Sequence, residues 1–392
     1  MPHAGSVGNM AHDVDDVAVA LAKEADGRRD ELVRARRIPS DLFQRAAENG
    51  LFRQMLARQL GGLGRSPAEW FETGIAMATW EASFGWVVTQ GAGDVATYVA
   101  ASDPEFANAF LADQHVYSAS SDNGVGTLVP DGNGYRVEGR WGFCSGCQGA
   151  TWVGGFARFP ADIARDQTSE GRWVLVPVAR ARIEENWDTM GMMGTGSHSV
   201  VLESQHVPAA WTCLIERSGP IDYGEASIAA GNGYWPISTA VSAMQLGIAR
   251  RALDSAEELA LKKPIARSAE LLCKNAHVQR QLIGAEAAWA ASKAGVELVL
   301  RQMWEAAAHN RKLPPPILMA LGSANVHAAA TATQIVESVC DVISTSVAPS
   351  RSIFGACLRD ARTIGSHIAV NPVKFELIAK MKFGLTDCDQ PF

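Results

Sequence analysis

The chain has 392 residues, 47% of them hydrophobic and 20% charged, with a formal net charge of −7. This length holds two or three domains and a large buried core, and the mix excludes a disordered chain. The acidic balance argues against a general nucleic-acid binder, which needs a basic face.

No membrane span is expected. The longest uncharged stretch, Ala226 to Ala249, carries Gly231, Asn232, Gly233, Pro236, Ser238, Thr239 and Gln245, which is too polar for lipid. Asp13, Asp15 and Asp16 stand where the apolar core of a signal peptide would lie. The seven cysteines are scattered along a long chain. They read as reduced thiols and place the protein in the cytoplasm.

Asp13 to Arg37 reads as one helix, because Val14, Val17, Ala18, Leu21, Ala22 and Ala25 repeat at three and four. Pro39-Ser40-Asp41 starts a second helix, Leu42 to Asn49, which Gly50 ends. Ser66-Pro67 opens another, and helical pattern continues to about Leu111. From Val116 to Pro208 the chain is rich in Gly, Val, Trp and Ser. The segments Val116–Ser121, Tyr135–Phe143, Trp152–Arg158, Trp173–Pro177 and Ser199–Val207 read as strands. Asp131-Gly132-Asn133-Gly134 is a turn signal between them. Helix returns over Ala229–Leu261, with a local break near Gly233 and Pro236, and over Ala266–Ala307. After Leu313-Pro314-Pro315-Pro316, Ile317–Ile343 and a last helix, Arg359–Lys382, follow. The expected organisation is a helical domain (1–115), a central β domain (116–215) and a helical bundle (216–392). A cavity where such units meet is a preferred cofactor site.

Cys144 and Cys147 form a Cys-x-x-Cys, but a zinc site needs two further ligands, and His198 and His206 have no matching spacing. A redox dithiol would open a helix in a βαβ setting. Packing at a strand end is the simpler reading, and no metal is expected. Trp141-Gly-Phe-Cys-Ser-Gly146 ends a strand with a hydroxyl beside glycine and between aromatics. Such a segment suits close approach of a flat ring, or is simply a turn. Met190-Gly-Met-Met-Gly-Thr-Gly-Ser197 is a second small-residue loop. It matches neither a Walker A loop nor a dinucleotide fingerprint. Among the eleven Trp, Trp141 and Trp187 flank the two loops and are the better ring-stacking candidates. His367, on the last expected helix, is a candidate general base or a structural histidine, and His277 and His327 share that ambiguity. Arg267 and Arg351, near helix starts, are phosphate candidates or surface ion-pair residues.

Taken together, these motifs resemble the acyl-CoA dehydrogenase fold over nearly the whole chain. The opening Ile38-Pro39…Glu48-Asn49-Gly50-Leu51…Gly61-Gly62-Leu63-Gly64 looks like that fold's N-terminal domain. Gly139–Trp152 looks like its flavin-contacting strand, Trp187–Ser197 like the next flavin-side segment, and Arg359-Asp360-Ala361 like the start of its last catalytic helix. Phe143 falls where the dehydrogenases usually carry Trp, and Ser145 where they carry Thr or Ser. The resemblance implies a mainly α chain with a central β domain: N-terminal helices, a β-barrel or sandwich, and a C-terminal four-helix bundle.

One departure is informative. The commonest acyl-CoA dehydrogenases place a catalytic Glu where this chain has Ile368, with His367 beside it. That pattern is similar to the two-component flavin-dependent monooxygenases of the same fold. Among these are the oxygenase components of 4-hydroxyphenylacetate hydroxylase and steroid-catabolic phenol hydroxylase, and dibenzothiophene monooxygenase. The resemblance implies use of reduced FMN or FAD from a separate NAD(P)H-dependent reductase. A C4a-hydroperoxyflavin formed with O2 then hydroxylates an aromatic or polycyclic small molecule, with N- or S-oxygenation as further outcomes. It implies that Ser145 bonds near flavin N5, that His367 acts beside the ring, and that Phe143 and Trp187 pack at the flavin. Arg267 and Arg351 would reach its phosphate, on a neighbouring subunit of a homotetramer. Ser120 would contact substrate. Many aromatic hydroxylases of this branch also use a His in the N-terminal domain; Phe84 to Asp94 offers Gln90 and Asp94 instead. The alternative reading is an acyl-CoA dehydrogenase-type flavin oxidoreductase with a relocated base, and a non-enzymatic flavin-fold scaffold is a third.

Overall fold

The computed structural model describes residues 7–164, 170–215, 235–266, 268–309 and 313–385. Six helices come first: α1 (Val7–Gly27), α2 (Arg29–Ala35), α3 (Ser40–Glu48), α4 (Pro67–Ala78), α5 (Ala82–Ala101) and α6 (Pro104–Leu111). Eight strands follow: β1 (Ser118–Ser121), β2 (Gly124–Asp131), β3 (Gly134–Cys144), β4 (Trp152–Arg158), β5 (Gly171–Pro177), β6 (Arg182–Glu184), β7 (His198–Pro208) and β8 (Thr212–Cys213). A one-turn helix α7 (Ala161–Ala164) interrupts them. The chain continues with α8 (Trp235–Ala260), α9 (Ala276–Ala307), α10 (Pro315–Ile343), α11 (Ile353–Gly365) and α12 (Val373–Lys382).

The expected first helix is two. It breaks at Arg28, and α2 ends on Arg36 in the left-handed conformation. The Ser66-Pro67 signal is realised as a full capping box, with Ser66 and Glu69 each satisfying the other's backbone N–H. Proline is tolerated at the start of α4 and of α10 because first-turn N–H groups have no helical partner. The expected helix over Ala266–Ala307 begins only at Ala276, where Asn275 caps it. The break near Gly233 and residue Arg267 lie outside the described residues.

The strands join in one mixed sheet of order β6-β7-β3-β2-β4-β5-β8, with β1 running parallel to β4. Three of them, β2, β6 and β8, are not legible as strands. The case of β2 has a physical reason. Trp141 of β3 is fully buried and lies flat over the glycines of its neighbours. A Cβ at Gly126, Gly139 or Gly155 would come within 2.5 Å of its indole. Those positions are glycine to admit the ring, which erases the strand signature. Trp141 is therefore a core residue, its indole N–H donating to the Phe156 carbonyl at 2.8 Å, and not a ring-stacking platform.

The helices on either side of the sheet share one core. Buried residues of α4, α5 and α8 belong to the same apolar cluster as the inner faces of α9, α10 and α11. The last expected helix, Arg359–Lys382, is also corrected. Here α11 ends at Gly365, a short turn Ile368–Val370 follows, and α12 begins at Val373. His367 caps the short turn and does not sit on a helix.

Candidate active site

The end of β3 is built around a backbone irregularity. The register between β3 and β7 shifts between Trp141 and Cys144, and Phe143 within that shift has a φ of 61°. Few non-glycine residues adopt this conformation, and it turns a side chain out of the strand alternation. The Phe143 ring is 56% exposed, although it packs edge-on against Trp187 at 5.5 Å. Trp187 itself is buried and its indole N–H donates to the Met192 carbonyl at 3.1 Å. The first loop thus offers a large open aromatic face, and the second supplies its support.

Two residues on, Ser145 is buried at the centre of a hydroxyl relay. Trp86 of α5 donates its indole N–H to Ser145 Oγ at 2.9 Å. Ser145 Oγ lies 2.8 Å from Ser197 Oγ, which lies 2.7 Å from Thr195 Oγ1. Thr195 donates to the Met192 carbonyl at 2.9 Å. Each hydroxyl has one hydrogen. With Thr195 donating to Met192, Ser197 donates to Thr195 and Ser145 donates to Ser197. The Ser145 oxygen then keeps one lone pair, so toward a ligand it is an acceptor.

His367 completes this end. Its ring centre is 5.8 Å from the Trp86 ring. The Ala369 N–H donates to its Nδ1 at 3.1 Å. That fixes the neutral tautomer, with the proton on Nε2. Burial depresses its pKa, opposed by Asp122 and assisted by Lys374, so the ring is neutral at neutral pH.

Behind the second loop a polar network ties the halves of the molecule. Asp360 of α11 accepts the Met192 N–H at 2.6 Å and lies 3.7 Å from Arg29. Arg29 also donates to Asp26 and to the Trp80 carbonyl, both at 3.2 Å, and Arg251 of α8 donates to Asp26 at 2.9 Å. Glu81, the cap of α5, is buried nearby and accepts the Phe84 N–H at 2.6 Å. Its pKa is pushed up to about 7 by burial, against the pull of Arg29.

The structure thus brings Phe143, Ser145, Trp187 and His367 to one region and leaves other candidates apart. Ser120, on β1, is bonded to the Tyr98 hydroxyl at 2.6 Å. Arg351 is 87% exposed and pairs with Asp30 at 3.4 Å. His277 and His327 lie on α9 and α10, and His277 lines an open groove of about 440 Å³ between them. His198 accepts the Trp187 N–H at 2.9 Å through Nδ1. Cys144 and Cys147 are free, buried thiols that donate to the backbone at Trp141 and Gly196. Burial raises both pKa values, that of Cys147 to about 12. Neither is a reactive thiolate. Among the described residues no group of three or more His, Cys, Asp or Glu could hold a metal ion, and no helix is long and apolar enough to cross a membrane.

Sequence reasoning missed Trp86, Thr195 and Ser197 as individual residues. Trp86 is 59 residues from Ser145, and no spacing rule links them. The one available signal was a polar series, Gln90 and Asp94, on an otherwise apolar helix.

The residues fit a flavin ring. Phe143 is an open aromatic face, Ser145 an acceptor at its edge, and His367 Nε2 a donor beside it. Of the two phosphate candidates, Arg267 lies outside the described residues and the Arg351 guanidinium faces Asp30.

The chain is similar to known proteins along its length. Residues 239–372 match the acyl-CoA dehydrogenase C-terminal domain. The chain is 29% identical to an indole-3-acetate monooxygenase of Pseudomonas putida over 375 residues, 92% of each chain. It is 30% identical to the oxygenase component of an FADH2-dependent resorcinol hydroxylase of a Rhizobium species, over 53% of this chain and 48% of that one. The structure of XiaF from a Streptomyces species, in complex with FADH2 and glycerol, superposes with a TM-score of 0.86 at 22% identity, covering 99% of both chains.

Proposed function

We infer, from this chain's place in the flavin-dependent monooxygenase branch of the acyl-CoA dehydrogenase fold superfamily, that it is the oxygenase component of a two-component system. It uses reduced flavin and O2 to oxygenate an aromatic or polycyclic small molecule. The observation that carries the reading is the cluster of Phe143, Ser145, Trp86 and His367, with Ile368 at the position where a dehydrogenase needs its carboxylate.

Reduced flavin with O2 supplies the electrophilic oxygen. The chain supplies the surround. Phe143 and Trp187 wall the ring. Ser145, its own proton committed to Ser197, presents an acceptor, which suits the N–H that a reduced flavin ring carries at N5 and an oxidised ring lacks. His367 presents the proton on Nε2 from a half-buried ring. The Nε2 N–H acts there as a hydrogen-bond donor, since the neutral ring keeps its one proton.

Further parts of this reading rest on analogy with the relatives. The reductase is a separate NAD(P)H-dependent protein, and the enzyme works in the cytoplasm as a homotetramer. An apolar surplus on the outer face of α9, with Ile283 71% and Leu298 58% exposed, supports assembly through that helix. Arg267 and Arg351 of a neighbouring subunit would serve the phosphate, and Ser120 would contact the substrate.

The test is anaerobic mixing of the protein with reduced FMN or FAD, followed by oxygen. The expected result is a transient absorbance band distinct from both reduced and oxidised flavin, with product formed on addition of substrate. Substrate-dependent reduction of bound oxidised flavin, with no reductase present, would establish the dehydrogenase alternative instead.

A further inference from the structure

The face of α5 that carries Trp86 continues as a polar stripe. Gln90 and Asp94 follow Trp86 at intervals of four, one helical turn each, so they share its side of the helix. Gln90 is buried and its amide N–H donates to Asp94 Oδ2. One turn further, the Tyr98 hydroxyl bonds to Ser120 Oγ of β1. Asp94 faces the sheet at the same place: its charge is felt by Tyr117 and by Cys144, and Tyr117 donates to the Ser145 carbonyl at 2.9 Å. The stripe therefore runs continuously from the flavin-side hydroxyl to β1.

Asp94 is the anomaly on this stripe. Its neighbours Gln90, Ala92, Gly93, Val95 and Ala96 are all buried, yet Asp94 keeps part of its surface open. Its carboxyl lies on the side of the helix that carries Gln90 and Trp86. Among the described residues it has no ion-pair partner, and its one hydrogen bond comes from Gln90. Gln90 Oε1 is itself buried with no partner. A carboxyl so placed costs free energy unless something completes it. Burial accordingly pushes its pKa well up. An unpaired acid in the middle of an apolar helix weakens the fold, and its open oxygen is what a ligand would repay.

We propose that Asp94, held in place by Gln90, is the specificity-determining group of the substrate pocket, and that it accepts a hydrogen bond from the N–H of a flat aromatic heterocycle. The inference rests on the monooxygenase reading for which end of the substrate reacts. Trp86 and Asp94 are eight residues apart, about 12 Å along the helix. That span accommodates a fused-ring arene with its N–H at Asp94 and its far edge beside Ser145 and His367.

The experiment is equilibrium binding to the flavin-free protein, read by intrinsic tryptophan fluorescence and calorimetry. The probes are indole and its oxygen isostere benzofuran, which has the same shape and no N–H. The wild type is expected to bind indole roughly tenfold or more tightly than benzofuran, the discrimination of one hydrogen bond to a charged or strongly polar group. Asp94→Leu is expected to reduce that ratio to near one. Asp94→Asn, which keeps an acceptor of the same shape, retains part of it. A thermal melt keeps the test valid, since Asp94→Leu removes an uncompensated acid and should raise the melting temperature. An indole-to-benzofuran ratio that is unchanged in folded Asp94→Leu, or a wild type that does not discriminate, overturns the assignment. Failure of the underlying reading shows separately, as wild type that forms no transient species with reduced flavin and oxygen while still preferring indole.

Discussion

Ser145 has one oxygen and two partners within the protein, Trp86 and Ser197, at 2.9 and 2.8 Å. Removing it leaves the Trp86 indole N–H buried without an acceptor, which costs about 1–3 kcal/mol. It also takes away the acceptor proposed for the flavin edge. Ser145→Ala is therefore expected to bind reduced flavin but to release more hydrogen peroxide per product formed, roughly tenfold more for each 1.4 kcal/mol lost in holding the reactive state. Peroxide and product are counted in the same reaction mixture. A variant that couples as well as the wild type would remove Ser145 from the site. At this scale the residue types at the ends of β3 were legible, because a serine beside glycine and aromatics is uncommon in a strand. The wrong emphasis fell on Trp141. Its burial depends on three glycines in β2, β3 and β4, which no local pattern relates to it.

At the scale of elements, the decisive contact lies between the second loop and α11. The backbone of Gly191 passes so close to α11 that a Cβ there would stand 2.4 Å from the Arg359 carbonyl carbon and oxygen. The next residue, Met192, takes a φ of 54° and donates its N–H to Asp360. Gly191→Ala must push the loop off the helix. It is expected to destabilise the protein by about 1–3 kcal/mol, as overpacking does, and to weaken reduced-flavin binding at the same time. Denaturant melts and flavin titration of one preparation read both effects; a loss of stability with intact flavin affinity would detach the loop from the site. The Arg359-Asp360 pair was legible in the sequence only as a resemblance. Its physical task, anchoring the loop that supports Trp187 and Thr195, emerges from contacts made across about 170 residues. The helix break at Gly365 and the strand β2 were also hidden, the first because helical spacing continues past it.

For the whole molecule, the network of Asp26, Arg29, Arg251, Glu81 and Asp360 joins the first helices to the C-terminal bundle behind the site. Glu81 holds its proton up to about pH 7 in the folded chain, against 4.5 as the ordinary value. Between those values the folded state binds more protons than the unfolded state, so this group's stabilising contribution is greatest at low pH and declines as pH rises to 7. Glu81→Gln, which keeps an acceptor for the Phe84 N–H, removes that decline. The stability of the variant relative to wild type is expected to rise from pH 5 to about pH 7 and then level off, measured by urea unfolding across the range. Parallel pH curves for the two proteins would show that Glu81 is ionised throughout.

The sequence by itself determined the order of the parts. Helical spacing, capping signals and turn residues are local, and they marked helices before and after a β segment. The motif series along the chain was enough for the fold and for the flavin chemistry. Only tertiary structure decided which groups meet. It took His367 off a helix, buried Trp141, turned Phe143 outward, and set Trp86 and Asp94 of α5 along the same stripe as Ser145. The physical reason is range. An indole N–H reaching a serine 59 residues away, or an acid left unpaired inside an apolar helix, is a property of packing, and packing is written in no short window of the chain.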